Sequence, residues 1–176
     1  AGDAPDIFMG KPSQFIQLAE AGQVLDLTGQ KCLDNLSEVD KAMVSVGEKV
    51  YGVPVDRSIA GVFYNKDMFD AAGVEYPDEN TTWEQFHEMA KALTKDGVTG
   101  FGNAATNTDE GTFQCLQWLY TAGGSYTDIK GGIKAYDLMQ EMITDGSWTK
   151  ECVNWTQSDV NNNFIAGNLA MQQNGP

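Results

Sequence analysis

The chain reads as an α/β fold, and three observations predict it. Segments with helical apolar spacing alternate with single short runs rich in β-branched and aromatic residues. Glycines stand one position beyond the helical patterns, where a residue in the left-handed region ends a helix. The 176 residues are 41% apolar, enough to bury a core in one or two compact units.

The elements follow in order. Residues 6–9 read as a short strand, and the loop at Gly10 to Pro12 leads to Ser13, the expected N-cap of a helix carrying Phe15, Ile16 and Leu18 that stops at Gly22. Residues 23–27 look extended, and 33–44 are weakly helical with Leu33, Leu36 and Val39 on one side. Gly47-Glu48 turns a hairpin between 43–46 and 49–53. Thr82-Trp83-Glu84-Gln85 matches a capping box, and Trp83, Phe86, Ala90 and Leu93 follow at helical spacing until Gly97. A strand is expected at 98–103, a polar loop at 104–111, and a helix at 112–122 ending at Gly123-Gly124. Ile133, Tyr136, Met139 or Gln140, and Ile143 mark a further amphipathic helix stopped by Gly146. A last helix at 158–166 has Val160 and Phe164 inward, with Gly167 at its end, and 169–172 look extended.

Net charge is −14, so a phosphate backbone is repelled and nucleic acid is excluded as a partner, as are anionic membrane surfaces. No apolar run reaches the eighteen residues that a membrane helix needs. The first residues carry no basic segment followed by an apolar one, so the expectation is either a cytoplasmic protein or a targeting segment that lies upstream of this chain. Cys32, Cys115 and Cys152 are odd in number and widely spaced, which fits neither a disulfide framework nor a paired metal site. Buried free thiols are the reading, with one disulfide and a spare thiol as the alternative in an exported protein. Neither GxxxxGK[ST] nor GxGxxG occurs, and the lone histidine, His87, is read as facing solvent, so no triad, multi-histidine metal site or cofactor is implied.

The stretch YGVPVDRSIAGVFYNKDMF, residues 51–69, holds two extended runs, 50–54 and 59–64, interrupted by Asp56, Arg57 and Ser58. Arg57 is the only arginine, and its fork of five donors suits hydroxyls or carboxylates; a surface ion pair is the alternative.

Seven phrases in order carry a resemblance: GDAPDIF, AGQVLDLT, EKVYGVPV, GVFYNKDMFDAAGVEYPDENTTWEQFHEMAKAL, GFGN, AGGS and NNNFIAGNLAMQQNGP. Together they resemble the family 1 extracellular solute-binding proteins, sugar receptors of ABC importers that are maltose-binding-protein-like. The resemblance implies a periplasmic-binding-protein-like (class II) two-lobe α/β architecture. Family members are more than twice as long, so the chain looks like a fragment with an incomplete N-lobe and most of the C-lobe helices. Residues 1–55 would belong to the first lobe and 56–176 to the second, with the hinge near 55–57.

The family's cleft loops fall on Lys11, Ser13 and Gln14, on Asp56, Arg57 and Ser58 at the crossing, on Asp109, Glu110 and Phe113 at a helix start, and on Trp155. Maltodextrin-binding members carry an aromatic, an aspartate and an arginine where this chain has Gly10, Ser13 and Gln14, a departure from that specificity. Structural alternatives stand beside several: Ser13 as a cap, Asp109 and Glu110 as partners of a helix dipole, Phe113 as core. Trp118 is read as core, and Trp155 as more exposed than Trp148. The wall that an aromatic after NGP supplies in the family would be absent, so the isolated chain is expected to bind ligand weakly or not at all.

The resemblance implies a monomeric, non-enzymatic receptor that captures a carbohydrate by lobe closure and delivers it to membrane permease subunits. It would sit outside the cell as a membrane-anchored lipoprotein, or in the periplasm. Two other readings are a non-sugar solute on the same fold and an acid hydrolase, which needs two carboxylates about 5 to 10 Å apart.

Overall fold

The computed structural model describes residues 5–56 and 58–175, and the side chains of Pro12 and Ser13 are not among the described ones. The expectations for Arg57, for the Ser13 side chain and for residues 1–4 of the GDAPD segment therefore lie outside the described residues. Internal contacts divide the chain into two compact units, Ala1–Arg57 and Ser58–Pro176.

In the first unit, helix α1 is Pro12–Glu20, with Lys11 as its N-cap and Pro12 at the first helical position. This corrects the reading of Ser13 as the cap. Proline has no N–H to lose at the first helical position and its φ is preset for the helix, so the start moves ahead of the serine. Residues 6–9 form no strand; Ile7 and Met9 are almost fully exposed, and no pleated neighbour covers them. Residues 23–27 form no strand either: the Leu27 N–H donates to the Val50 carbonyl at 2.7 Å, one bond rather than a ladder.

The expected helix over 33–44 is split into a 3-10 turn, Lys31–Leu33, and helix α2, Glu38–Met43. Ser37 and Asp40 form a capping box between the two pieces, each accepting the other's backbone N–H, and this new start breaks the run and leaves Val39 exposed. Strands β1, Ser45–Val46, and β2, Lys49–Val50, make the predicted hairpin, with Gly47 at φ +62°. Phe15, Leu33, Val44 and Val50 are this unit's buried cluster.

The second unit is built on a three-stranded sheet in the order β3-β5-β4, where β3 is Gly61–Tyr64, β4 is Thr99–Gly102 and β5 is Leu169–Asn174. Strand β5 pairs antiparallel with β3, Tyr64 opposite Met171, and parallel with β4, Phe101 opposite Met171. It is buried along its whole length, as a central strand covered on both faces must be.

Between the strands run α3, Lys66–Ala72; α4, Trp83–Leu93; α5, Asp109–Thr121; α6, Ile133–Asp145; and α7, Gln157–Ile165. Helix α3 is an element the periodicity did not reveal. Its ends were nevertheless signalled, since Asn65 Oδ1 accepts the Met68 N–H and Gly73 takes the left-handed conformation. Helix α4 carries the capping box as read and buries Phe86, Ala90 and Leu93, ending at Leu93 ahead of Gly97. Helix α5 begins three residues earlier than expected, which draws Asp109 and Glu110 into its first turn.

The inward face of α6 is a correction. Ala135, Met139 and Met142 are buried, whereas Ile133, Tyr136 and Ile143 are exposed. The helix meets the aromatic cluster of Phe86, Phe101, Trp118 and Trp148 with its less bulky residues, because the large rings already fill that space. Phe101 and Trp148 pack edge to face at 4.6 Å, and Trp148 stands 5.1 Å from Trp118. A second, smaller cluster joins Ala104, Val160 and Leu169, with Trp155 and Phe164 packed on it.

Two further readings change. His87 is largely covered instead of facing solvent, since its Nε2 lies 2.6 Å from Asp145 Oδ2. Cys32 is exposed, Cys115 half-buried and Cys152 buried, so only one of the three thiols fits the expectation of a buried thiol fully.

Candidate functional site

Parallel strands β4 and β5 end side by side, and open α/β sheets hold ligands beyond the carboxyl ends of such strands. Helix α5 can start there because Gly111 has no side chain: a Cβ would lie 2.0 Å from the Thr106 carbonyl oxygen. Glycine is needed at 102 as well, where a Cβ would press to 2.9 Å from Leu169 and 3.3 Å from the Trp155 ring.

The polar contacts at this end join three elements. Glu110 Oε2 accepts the Gln157 N–H at 3.2 Å, and Asn174 Nδ2 donates to the Gln157 carbonyl at 3.0 Å. Asn174 also donates to Gln172 Oε1, and Gln172 Nε2 donates to Asn161 Oδ1. The start of α5, the start of α7 and the end of β5 are thus tied through Gln157. A carboxylate at the first turn of α7 also meets the positive end of that helix. Beneath this layer Asn103 accepts the Trp148 indole N–H at 3.0 Å and Gln114 accepts the Ala104 N–H at 2.8 Å. The Asn103 Nδ2 and Gln114 Nε2 groups are buried without a protein acceptor among the described residues, a rarity in folded proteins.

The predicted site residues fall into two sets. In the first unit Lys11, Gln14 and Asp56 are exposed, and Gln14 Oε1 accepts the Lys11 N–H at 3.1 Å, so that glutamine closes the helix start. In the second unit Ser58 is exposed, and Asp109, Glu110 and Phe113 lie on the first turns of α5. Phe113 is 48% exposed, so the structural alternative of a core aromatic does not hold. Trp118 is core as read: it is buried and its indole N–H donates to Gln173 Oε1 at 2.8 Å. Trp155 is half-buried and Trp148 nearly sealed, the order expected.

Gln157, Gln172 and Asn174 were not singled out from sequence. The signal was present as the amide run Gln172-Gln173-Asn174 closing an apolar strand, but only the neighbouring helices give those amides partners.

A hollow of about 190 Å³ lies elsewhere on this unit, lined by Ala60, Gly61, Val62, Trp83, Gln117, Trp118, Thr121 and Gln173. It is below the roughly 300 to 1,000 Å³ of ordinary ligand pockets and has no ionisable lining. Among the described residues no cluster of three or more His, Cys, Asp or Glu suits a metal ion, and no helix is long and apolar enough to cross a membrane.

A family model described as bacterial extracellular solute-binding protein matches residues 1–176. A "Multiple sugar-binding protein" of Streptococcus mutans is 30% identical over 108 residues, covering 60% of this chain and 25% of that protein. An ABC substrate-binding protein from Listeria monocytogenes, solved in complex with cycloalternan, superposes with a TM-score of 0.80 at 27% identity, over 99% of this chain and 48% of the other. UgpB from Mycobacterium tuberculosis, solved in complex with glycerophosphocholine, superposes with a TM-score of 0.84 at 22% identity, over 99% of this chain and 48% of the other, a likeness of fold. The chain spans less than half the length of each of these proteins. The expected periplasmic-binding-protein-like α/β fold, in partial form, is the one these structures share.

Proposed function

The chain belongs to the bacterial extracellular solute-binding protein family, and from that premise we propose that it is part of the receptor of an ABC importer, capturing a carbohydrate. The observation that carries this reading is the exposed ring of Phe113, one helical turn after the Glu110 that joins the Gln157 and Asn174 polar layer. An aromatic face next to amides and carboxylates suits the apolar face and the hydroxyl edge of a sugar ring. The streptococcal relative is named for sugar binding and the listerial structure holds a cyclic saccharide, which supports the same ligand class.

In this proposal Asp109, Glu110, Phe113 and Trp155 contribute from the second lobe, and Lys11, Ser13 and Gln14 from the first. Asp56, Arg57 and Ser58 lie at the crossing, where residues 55–57 act as hinge between lobes spanning 1–55 and 56–176. Capture needs no bond to be broken, so the protein is not an enzyme. It works as a monomer, either outside the cell as a membrane-anchored lipoprotein or in the periplasm, and passes its ligand to permease subunits.

Calorimetric and thermal-shift titration of the full-length receptor against mono- and oligosaccharides tests the reading, with amino acids and glycerophosphodiesters as controls. A ligand at a hundredfold excess over its dissociation constant adds about 2.7 kcal/mol of apparent stability. Response to one saccharide class supports the proposal; response only to a control solute keeps the family and discards the sugar.

A further inference from the structure

Phe113, Gln117 and Thr121 follow one another at four-residue steps along α5, so they are neighbours on one side of the helix, about 6 Å apart along its axis. Gln117 and Thr121 line the hollow of about 190 Å³, and Phe113 lies one turn outside it. The other walls are Trp83 at the start of α4, Trp118, and Val62 on β3, the outer strand of the sheet. The two indoles stand 5.9 Å apart and are inclined by 50°. Gly61, beside Val62, has nothing within 4 Å of an ideal Cβ, so that side of the hollow stays open.

Gln173, from β5, orders the polar groups of this hollow. Its Oε1 accepts the Trp118 indole N–H at 2.8 Å, and its Nε2 donates to Gln117 Oε1 at 2.7 Å. The Gln117 amide is thereby held by its oxygen, and its nitrogen has no protein acceptor among the described residues. Thr121 gives its hydroxyl hydrogen to the helix carbonyls of Gln117 and Trp118, 3.0 Å away, and keeps lone pairs to accept with. The hollow thus presents an N–H donor and a hydroxyl acceptor above an aromatic wall. No lining group is ionisable, so a charged occupant would enter unpaired and at high cost. The volume is below that of a pocket for a drug-sized ligand and suits a single small ring.

From this arrangement we infer that the hollow is a second saccharide subsite, which takes one neutral ring of an oligosaccharide whose adjoining ring lies against Phe113. Gln117 donates to one hydroxyl of that ring, Thr121 accepts from another, and Trp83 and Trp118 back its apolar face. Gln173 is a positioning residue that acts through the Gln117 amide. The inference rests on the carbohydrate reading of Phe113 and narrows it. The preferred ligand has at least two linked rings, and a ring bearing a carboxylate or an ammonium group is refused at the second position.

The test is calorimetry on the full-length receptor with glucose, galactose, xylose and arabinose, each beside its homo-disaccharide and homo-trisaccharide. For the sugar that binds, the second ring should tighten affinity about tenfold, the scale of one stacked ring. Val62→Phe fills the hollow from a strand position that is 41% exposed, and Gln117→Leu removes the amide at similar volume. Each should abolish the gain from the second ring, whereas Phe113→Ala should weaken mono- and disaccharide alike. A gain that survives Val62→Phe overturns the inference, as does a parent protein that binds the monosaccharide and gains nothing from the second ring. If Gln117→Leu melts low, Val62→Phe still decides, because its side chain is added at an exposed position. If no saccharide binds at all, the carbohydrate reading falls and takes this inference with it. The two failures are distinct, since the first leaves saccharide binding intact and the second abolishes it.

Discussion

His87 Nε2 and Asp145 Oδ2 meet at 2.6 Å across 58 residues of sequence, joining the middle of α4 to the last residue of α6. The imidazole N–H donates to the carboxylate, and the Ser147 N–H donates to the other oxygen at 2.9 Å.

Acid should weaken this junction. Burial raises the Asp145 pKa, but the hydrogen bonds from Ser147 and the contact with His87 outweigh it and hold the carboxyl below its ordinary value. A group depressed in the folded state contributes stability above its unfolded pKa of about 3.9, and that contribution is lost as pH falls through the folded pKa. Asp145→Asn should therefore cost about 1 kcal/mol at neutral pH. Its deficit relative to the parent should close as both are titrated to pH values below the ordinary carboxylate range. Urea midpoints recorded against pH check this; a deficit that stays constant into acid contradicts it.

Thr82 caps the helix that supplies much of the core. Its hydroxyl accepts the Gln85 N–H at 3.3 Å, while Gln85 Oε1 accepts the Thr82 N–H at 2.8 Å. Thr82→Ala should destabilise by about 1 kcal/mol with little change in the denaturant slope. Thr82→Ser, which keeps the acceptor, should recover most of the loss.

Gly100 is a close-approach glycine. A Cβ there would sit 2.0 Å from the Ala90 carbonyl oxygen, backbone against backbone, where no rotamer change relieves it. Gly100→Ala should separate α4 from β4 and cost about 3 kcal/mol or more, read as a fall in melting temperature or in soluble yield. Gly61, with no atom near its ideal Cβ, should accept alanine with little loss.

Phe113 separates binding from stability. Because the ring is 48% exposed, Phe113→Ala should move the melting temperature little. If the ring stacks on a sugar, the same change should weaken saccharide affinity by about tenfold, in line with the roughly 0.5 to 1.5 kcal/mol of an aromatic contact. Unchanged affinity by calorimetry would remove Phe113 from the site.

Much of this molecule was legible in its amino-acid order. The capping box at Thr82, the glycines that end α1, α5, α6 and α7, and the Gly47 hairpin are local signals, set by neighbours within four residues, and each appears where it was read. Family-like phrases from 48–55 to 161–176 were legible in the same way, because they are order alone. Which face of α6 turns inward was legible only at Met139, because Ile133, Tyr136 and Ile143 compete with Ala135 and Met142 and only the bulk of Trp118 and Trp148 decides between them. The partnership of Glu110, Gln157 and Asn174 was not legible, because its separations of 47 and 17 residues carry no local signature. Sequence by itself determined the helix ends marked by a capping box or a left-handed glycine and which family the chain resembles, since capping and turn chemistry act over single turns of backbone. Tertiary structure alone decided which polar groups share a strand end and which face of α6 is buried, because those contacts exist only after distant segments have been packed together.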